Sequence, residues 1–446
     1  MSSLSLTDTD REQMLATIGV ESVEELFRDI PQGVRLEREL DLEPALSEPE
    51  LVAHLEQLAS RNADTRRELS FLGAGIYDHY VPAVVDAILQ RGEFLTAYTP
   101  YQPELSQGVL QAIFEYQTAI CELTGMDVSN ASGYDGTTVA ADACYMAKHI
   151  TGRTRIVVTE ATSPQVRQVV KTYAPGFGLE VVEVPHTAGV TDPQAAAAAA
   201  RDAAAVLFQQ PNFFGCLEPA PELAAAATDA GALPVAHVDP ISLGVLEAPG
   251  RYGCAIVAGE GQGAGNAQSF GGPHYGFLAC RAEHVRRMPG RIVGETNDAD
   301  GRRGYVLTLS TREQHIRREK ATSNITTNQT LLALGGLVYL TWLGPAGIRE
   351  IGETSMALAG YARSRLEEAG LDLVFANETT FKEFAVRVGR NARDVIVAAR
   401  ERGVHPGYAL GRDYPGMDDC LLVAVTEKRT PEDIDRLAEV LSEVAA

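Results

Sequence analysis

Three polar segments of this 446-residue chain hold residue types that could do chemistry. In the first, residues 98–108, Tyr98, Tyr101, Gln102 and Glu104 sit on a loop stiffened by Pro100 and Pro103, just ahead of an expected helix. Such a loop lies at the surface yet is preorganised, which suits the wall of a binding site. A capped turn with packing tyrosines is the ordinary alternative. The second, residues 129–138 (Ser-Asn-Ala-Ser-Gly-Tyr-Asp-Gly-Thr-Thr), opens a helix predicted to run to Lys148. Backbone N–H groups and hydroxyls at a helix N-terminus suit a phosphate, although a plain N-cap is commoner. The third, residues 310–329, is the most basic stretch of the chain and runs into Ser323, Asn324, Thr326 and Thr327. A charged run of this kind is usually a solvated helix face. The polar cluster that follows it points instead to a site or a subunit interface.

Other signatures are missing. The sequence has no GxxxxGK[ST], no GxGxxG after a strand, no GxSxG and no HExxH. The glycine-rich run from Gly259 to Asn266 breaks the dinucleotide spacing. His237 and His274 read as structural histidines rather than ligands. None of the six cysteines forms a CxxC pair or a zinc-ligand spacing, so they read as buried thiols of a reducing cytosol.

The elements that position these segments follow from periodicity. Residues 1–65 read as a helical arm, with starts at Ser22 (a capping box with Glu25) and at Ser47. Residues 66–329 read as a large α/β domain. Its first part is helical, broken at Gly73–Gly75 and at residues 99–103. Short apolar runs then recur at 155–160, 179–184, 204–209, 234–239, 254–258 and 276–281. Buried strands alternating with helices predict a mostly parallel sheet. The alanine run at 195–205 fits a surface helix. Residues 330–446 read as a small α+β domain, with a helix over 330–343, strands near 371–376, 381–388 and 420–425, and a helix starting at Pro431.

Composition bounds the partners. Lys+Arg total 38 against 60 Asp+Glu, a net charge of −22. That balance argues against nucleic acid, which needs a basic stripe, and against an anionic membrane surface. The first residues lack the basic and apolar regions of a secretory signal, so the expected location is cytoplasmic. Only five basic residues are lysines: Lys148, Lys171, Lys320, Lys382 and Lys428. The acidic, lysine-poor composition fits either a high-salt cytoplasm or a GC-rich genome.

At residues 71–82 (Phe-Leu-Gly-Ala-Gly-Ile-Tyr-Asp-His-Tyr-Val-Pro), 98–108, 130–138, 269–274 and 311–329, the chain resembles the P-protein family of the glycine cleavage system. The likeness is to its N-terminal-half type, subunit 1, and spans essentially the whole chain. It implies a fold-type-I, aminotransferase-like fold of the pyridoxal-phosphate (PLP) enzymes. It also implies an oxidoreductase of glycine catabolism, in which glycine loses CO₂ and its aminomethyl group passes to the lipoyl arm of H-protein.

In that fold an Asp on one strand pairs with the pyridine nitrogen, and a lysine after the next strand holds PLP as a Schiff base. Asp239 matches the first position. Gln262 and Gly263 lie where the lysine belongs, and residues 172–319 contain no lysine at all. The resemblance therefore implies a chain inactive alone, with PLP held covalently by a lysine-bearing subunit 2 in an α2β2 heterotetramer. Tyr98, Tyr101, Gln102 and Glu104 would then wall the substrate, and Ser323, Asn324 and Thr327 would face the partner's cofactor phosphate. Two other readings stay open: a stand-alone PLP enzyme using Lys320, the one rescue candidate, and a non-catalytic stabilising or regulatory subunit. No metal is expected.

Overall fold

The computed structural model describes residues 6–321, 325 and 328–445. The chain divides into two compact units, Met1–Ala63 and Asp64–Ala446. In the first, helix Asp8–Ile18 is opened by a reciprocal box between Thr7 and Asp10, and helix Glu48–Ala59 by one between Ser47 and Glu50. Ser22 opens no α-helix. Val23–Phe27 is a single 3₁₀ turn, and Glu25 accepts from the Glu21 N–H rather than from Ser22.

The second unit is built on a seven-stranded sheet. Its strands are β1 (Val128–Ser129), β2 (Arg155–Thr159), β3 (Glu180–Val184), β4 (Ala203–Gln210), β5 (Leu233–Val238), β6 (Ile256–Glu260) and β7 (Gly276–Cys280). Across the sheet they run 3-2-4-5-6-7-1. The first five in that order are parallel, and β7 is antiparallel to both its neighbours. Helices α1 (Gln107–Thr124) and α2 (Gly136–Thr151) pack on it. Central strands covered on both faces must be apolar throughout. That explains the apolar runs on β2 and β4 to β7; the run at 179–184 falls on the edge strand β3, which carries Glu180 and Glu183. The alanine run is the exception. Its helix stops at Ala199, Asp202 turns the chain at φ +60°, and Ala203 already begins β4. Alanine alone carries neither period, so the switch left no pattern.

A hairpin of β8 (Ile292–Asn297) and β9 (Arg303–Thr308) is held to α1 by two glutamines. Gln107 accepts from the Tyr305 N–H and donates to its carbonyl, and Gln117 does the same with Val293.

Helix α3 spans Thr330–Glu368 and is interrupted at Gly344, whose φ of +60° and ψ of −176° are not helical. Pro345 then starts the second half, where its missing N–H costs nothing. By length and composition α3 could cross a membrane. In this fold its Ala333 and Leu334 pack with Tyr116 and Phe277, and its Tyr339 with Ile241 and Phe381. A four-stranded antiparallel sheet follows, in the order β10 (Asp372–Leu373), β11 (Glu383–Arg387), β13 (Cys420–Ala424), β12 (Tyr408–Ala409). The helices α4 (Ala392–Arg400) and α5 (Pro431–Ala445) share its core.

Parallel strands present ligands at their carboxyl ends. Asp239 follows β5 there, Glu260 ends β6, and Gln262 lies two residues beyond. The start of β11 brings Lys382 and Glu383 to the same place.

Candidate functional site

A buried lysine meets Asp239. The Lys382 ammonium lies 2.5 Å from Asp239 Oδ2, and Lys382 is only 2 % exposed. Its other contacts complete a shell. His79 Nε2 is 2.8 Å from Nζ, and the Tyr77 ring lies beneath, 3.5 Å from Nζ to its centroid. His79 Nδ1 lies 2.6 Å from Glu427 Oε2. One tautomer satisfies both contacts: Nδ1–H donates to Glu427, and Nε2 accepts from Lys382. The electrostatics agree. Burial, then the Lys382 charge, lowers the pKa of His79 and keeps it neutral. For Glu427 burial is the largest single push, and it is upward, but the His79 contact and the backbone N–H groups of Tyr80 and Glu427 together outweigh it and hold the carboxylate below its ordinary range. The result is a line of alternating partners: Asp239, Lys382, His79, Glu427.

The loop around His79 is tied residue by residue to the C-terminal sheet. The Tyr77 hydroxyl donates to Glu383 Oε2 at 2.7 Å, and the Ala74 N–H donates to Glu383 Oε1 at 2.7 Å. Asp78 receives Lys428 at 2.6 Å and Arg429 at 3.0 Å. Tyr80 N–H donates to Glu427. Burial pushes Glu383 up to about 7, and burial with the Glu383 charge raises Tyr77 far above the ordinary phenol range. On the other side, Gln262 brackets Tyr77, accepting from its N–H at 2.8 Å and donating to its carbonyl at 3.0 Å.

The helix start read as a phosphate cradle is filled by the chain itself. Asp135 caps α2, accepting from the Thr138 N–H and the Thr137 hydroxyl. The Gly136 N–H donates to Glu260 Oε2 at 2.8 Å. A Cβ at Gly136 would lie 2.7 Å from Glu260 Cβ, so only glycine lets strand and helix approach this closely. Burial raises the Glu260 carboxyl to about 8. His237 faces the Gly136 carbonyl at 3.3 Å, and burial lowers it to about 4.

A second cluster gathers the three polar segments around Arg291, a residue the sequence reading passed over. Its guanidinium lies 5.5 Å from the Tyr101 ring centroid, within 3.3 Å of the Tyr101 hydroxyl and 3.4 Å of Thr99 Oγ1. It also donates to Asn328 Oδ1 and faces Glu313. Asn328 in turn donates to Ser132 and Ala131. Tyr98 and Tyr101 are 75 % and 62 % exposed, and Gln102 and Glu104 are exposed beside them. Ser323, Asn324 and Thr327 lie outside the described residues.

A model of the glycine cleavage system P-protein family matches residues 1–441. The chain belongs to that family. Among its relatives, a probable glycine dehydrogenase (decarboxylating) subunit 1 of Geobacillus kaustophilus is 51 % identical, over 99 % of this chain and 98 % of the relative. One of the same name from Carboxydothermus hydrogenoformans is 50 % identical over 98 % of each. A crystal structure of glycine decarboxylase, the P-protein of the glycine cleavage system, in inhibitor-bound form is 43 % identical with a TM-score of 0.91, covering both chains fully. A cysteine desulfurase from Thermococcus onnurineus NA1, at 17 % identity and a TM-score of 0.63, shares the fold alone. The fold-type-I architecture and the subunit 1 type of P-protein are thus those the sequence resemblance implies.

The residues of this P-protein chain do not fit PLP in its own pocket. The carboxylate that would face a pyridine nitrogen is engaged by Lys382. The N–H groups that would face a phosphate already donate to Glu260 and Asp135. At the lysine position, the Gln262 amide donates to Tyr77 and Asn266 carbonyls. Lys320, singled out as the rescue candidate, is exposed on a short turn, Arg318–Lys320. The lysine that reaches Asp239 is Lys382. Its sequence setting held a signal, for a lysine between Phe381 and the apolar run from Phe384 must either leave its strand or find a buried partner.

Proposed function

We propose that this chain works as half of a glycine decarboxylase, paired in an α2β2 assembly in the cytoplasm with a lysine-bearing P-protein subunit that holds PLP covalently. Glycine would be the substrate and lipoylated H-protein the acceptor of the aminomethyl group. The observation that carries this reading is the Lys382–Asp239 pair. A chain whose own pocket is spent in this way needs its chemistry supplied elsewhere.

This chain's contribution is a wall. Tyr98, Tyr101, Gln102 and Glu104 present hydroxyl, amide and carboxylate groups at the surface, and Arg291 fixes the loop from behind. Ser323, Asn324 and Thr327 would face the cofactor phosphate across the interface. Reconstitution tests the assignment. Exchange of labelled CO₂ into the glycine carboxyl should need both subunits together with H-protein. Exchange by this chain alone, abolished by Lys320→Ala, would favour the stand-alone reading instead. Full exchange by the partner without this chain would make it a stabilising subunit.

A further inference from the structure

We infer that this chain carries a built-in substitute for a cofactor, in which Lys382 acts as a resident cation on Asp239 and clamps the large sheet to the C-terminal sheet. Three observations converge on it. A carboxylate only 13 % exposed at the end of a central strand would be costly to leave without a positive partner. Asp239 finds one within its own chain at 2.5 Å. The partner is no surface lysine folding over, because Lys382 is 2 % exposed and its carbonyl accepts from the Val425 N–H at 2.8 Å, inside the C-terminal sheet. The ammonium also lies over the Tyr77 ring and against His79, a shell matched to a cation.

The opposite end of the pocket is closed in the same manner. Glu260 takes the Gly136 N–H, and Asp135 takes that of Thr138. Between the two ends, Gln262 seals the gap by pinning both polar groups of the Tyr77 backbone. Both charge-bearing positions of the pocket are therefore satisfied from within. The clamp ties elements far apart in the chain: Asp239 after β5, the loop 77–80, Lys382 and Glu383 at β11, and Glu427 beyond β13. It rests on the P-protein reading only for what once occupied the pocket. The clamp itself stands on the contacts.

Two measurements on the full-length chain, alone and paired with its partner subunit, test this. First, the chain is incubated with PLP, reduced with borohydride and mapped by mass spectrometry. Exposed lysines should take the label, and Lys382 should stay unmodified. Recovery of a pyridoxyl group on Lys382 from the native protein would overturn the inference, because it would make that amine a reactive one. Second, thermal melting is compared for Lys382→Met, Asp239→Asn and the double variant. Lys382→Met should lower Tm by about 5 °C or more, since it leaves a largely buried carboxylate without its cation. The double variant should recover most of that loss. If the two single losses simply add, the pair is no clamp. Failure of the wild-type pair with H-protein to exchange CO₂ into glycine, with both results as expected, would count against the proposed function and leave the clamp standing.

Discussion

Arg291 holds Tyr101 from behind, its guanidinium 5.5 Å from the ring centroid and 3.3 Å from the hydroxyl. The same side chain bonds Asn328 and faces Glu313, so one residue ties an exposed loop to the helix start at 129–138 and to the basic segment. Arg291→Ala should cost about 1–3 kcal/mol of stability by stripping Asn328 and Glu313 of a partner. It should also raise KM for glycine in the reconstituted pair more than it lowers kcat. Arg291→Lys should recover little, because a single ammonium cannot span the same acceptors. Urea unfolding and steady-state kinetics check both parts.

Tyr98 and Tyr101 offer hydroxyls at the surface. Tyr98→Phe and Tyr101→Phe, the latter giving up its hydroxyl contact to Arg291, should each cost about 1 kcal/mol or less of stability. Combined, they should lower glycine decarboxylation by the reconstituted pair about tenfold or more, the effect of one lost hydrogen bond to a charged group. Unchanged rates would remove both tyrosines from the substrate wall.

Glu383 gives stability a definite pH slope. Its folded pKa of about 7 lies above the ordinary 4.5, because burial disfavours the charge. Between those values the native state binds more protons than the unfolded one, so stability falls as pH rises. The contribution is fully present below pH 4.5 and lost through pH 7, with about 3 kcal/mol as its upper bound. Glu260, raised to about 8, acts with the same sign. Glu383→Gln should flatten the slope between pH 5 and pH 8, since the Tyr77 hydroxyl can turn to accept from the new amide. Denaturant midpoints of the two proteins at both pH values decide it. Equal slopes would show that Glu383 is charged throughout.

Gly73 lets the loop touch the C-terminal sheet. An added Cβ would overlap the Glu383 carboxylate and lie 2.5 Å from Ala424 Cβ. Gly73→Ala should therefore cost about 1–3 kcal/mol, as overpacking does. Gly75→Ala meets no atom within 4 Å but sits at φ +109°, so its cost comes from backbone strain alone. If only Gly73→Ala weakens the Ala74–Glu383 contact, amide exchange at Ala74 will report it.

The sheet was legible because buried parallel strands must be apolar from end to end, and residues 155–160 or 204–209 could hardly be anything else. Helix α3 was legible only to Leu343. Gly344-Pro345 reads as a stop, and the chain uses it as a swivel before resuming to Glu368. The loop at 98–108 and the basic segment stood out by polarity, but nothing in either names Arg291, which joins them across the hairpin. The Lys382–Asp239 pair was beyond reach for a different reason. Periodicity reports which face of an element is buried, and says nothing of which distant residue waits there.

The cation that Asp239 requires is encoded in the polypeptide. A fold that relies on a bound small molecule gains stability with the logarithm of that molecule's concentration. A clamp of this kind carries no such dependence. On the clamp reading, the subunit's folded population should be the same in a starved cell as in a replete one.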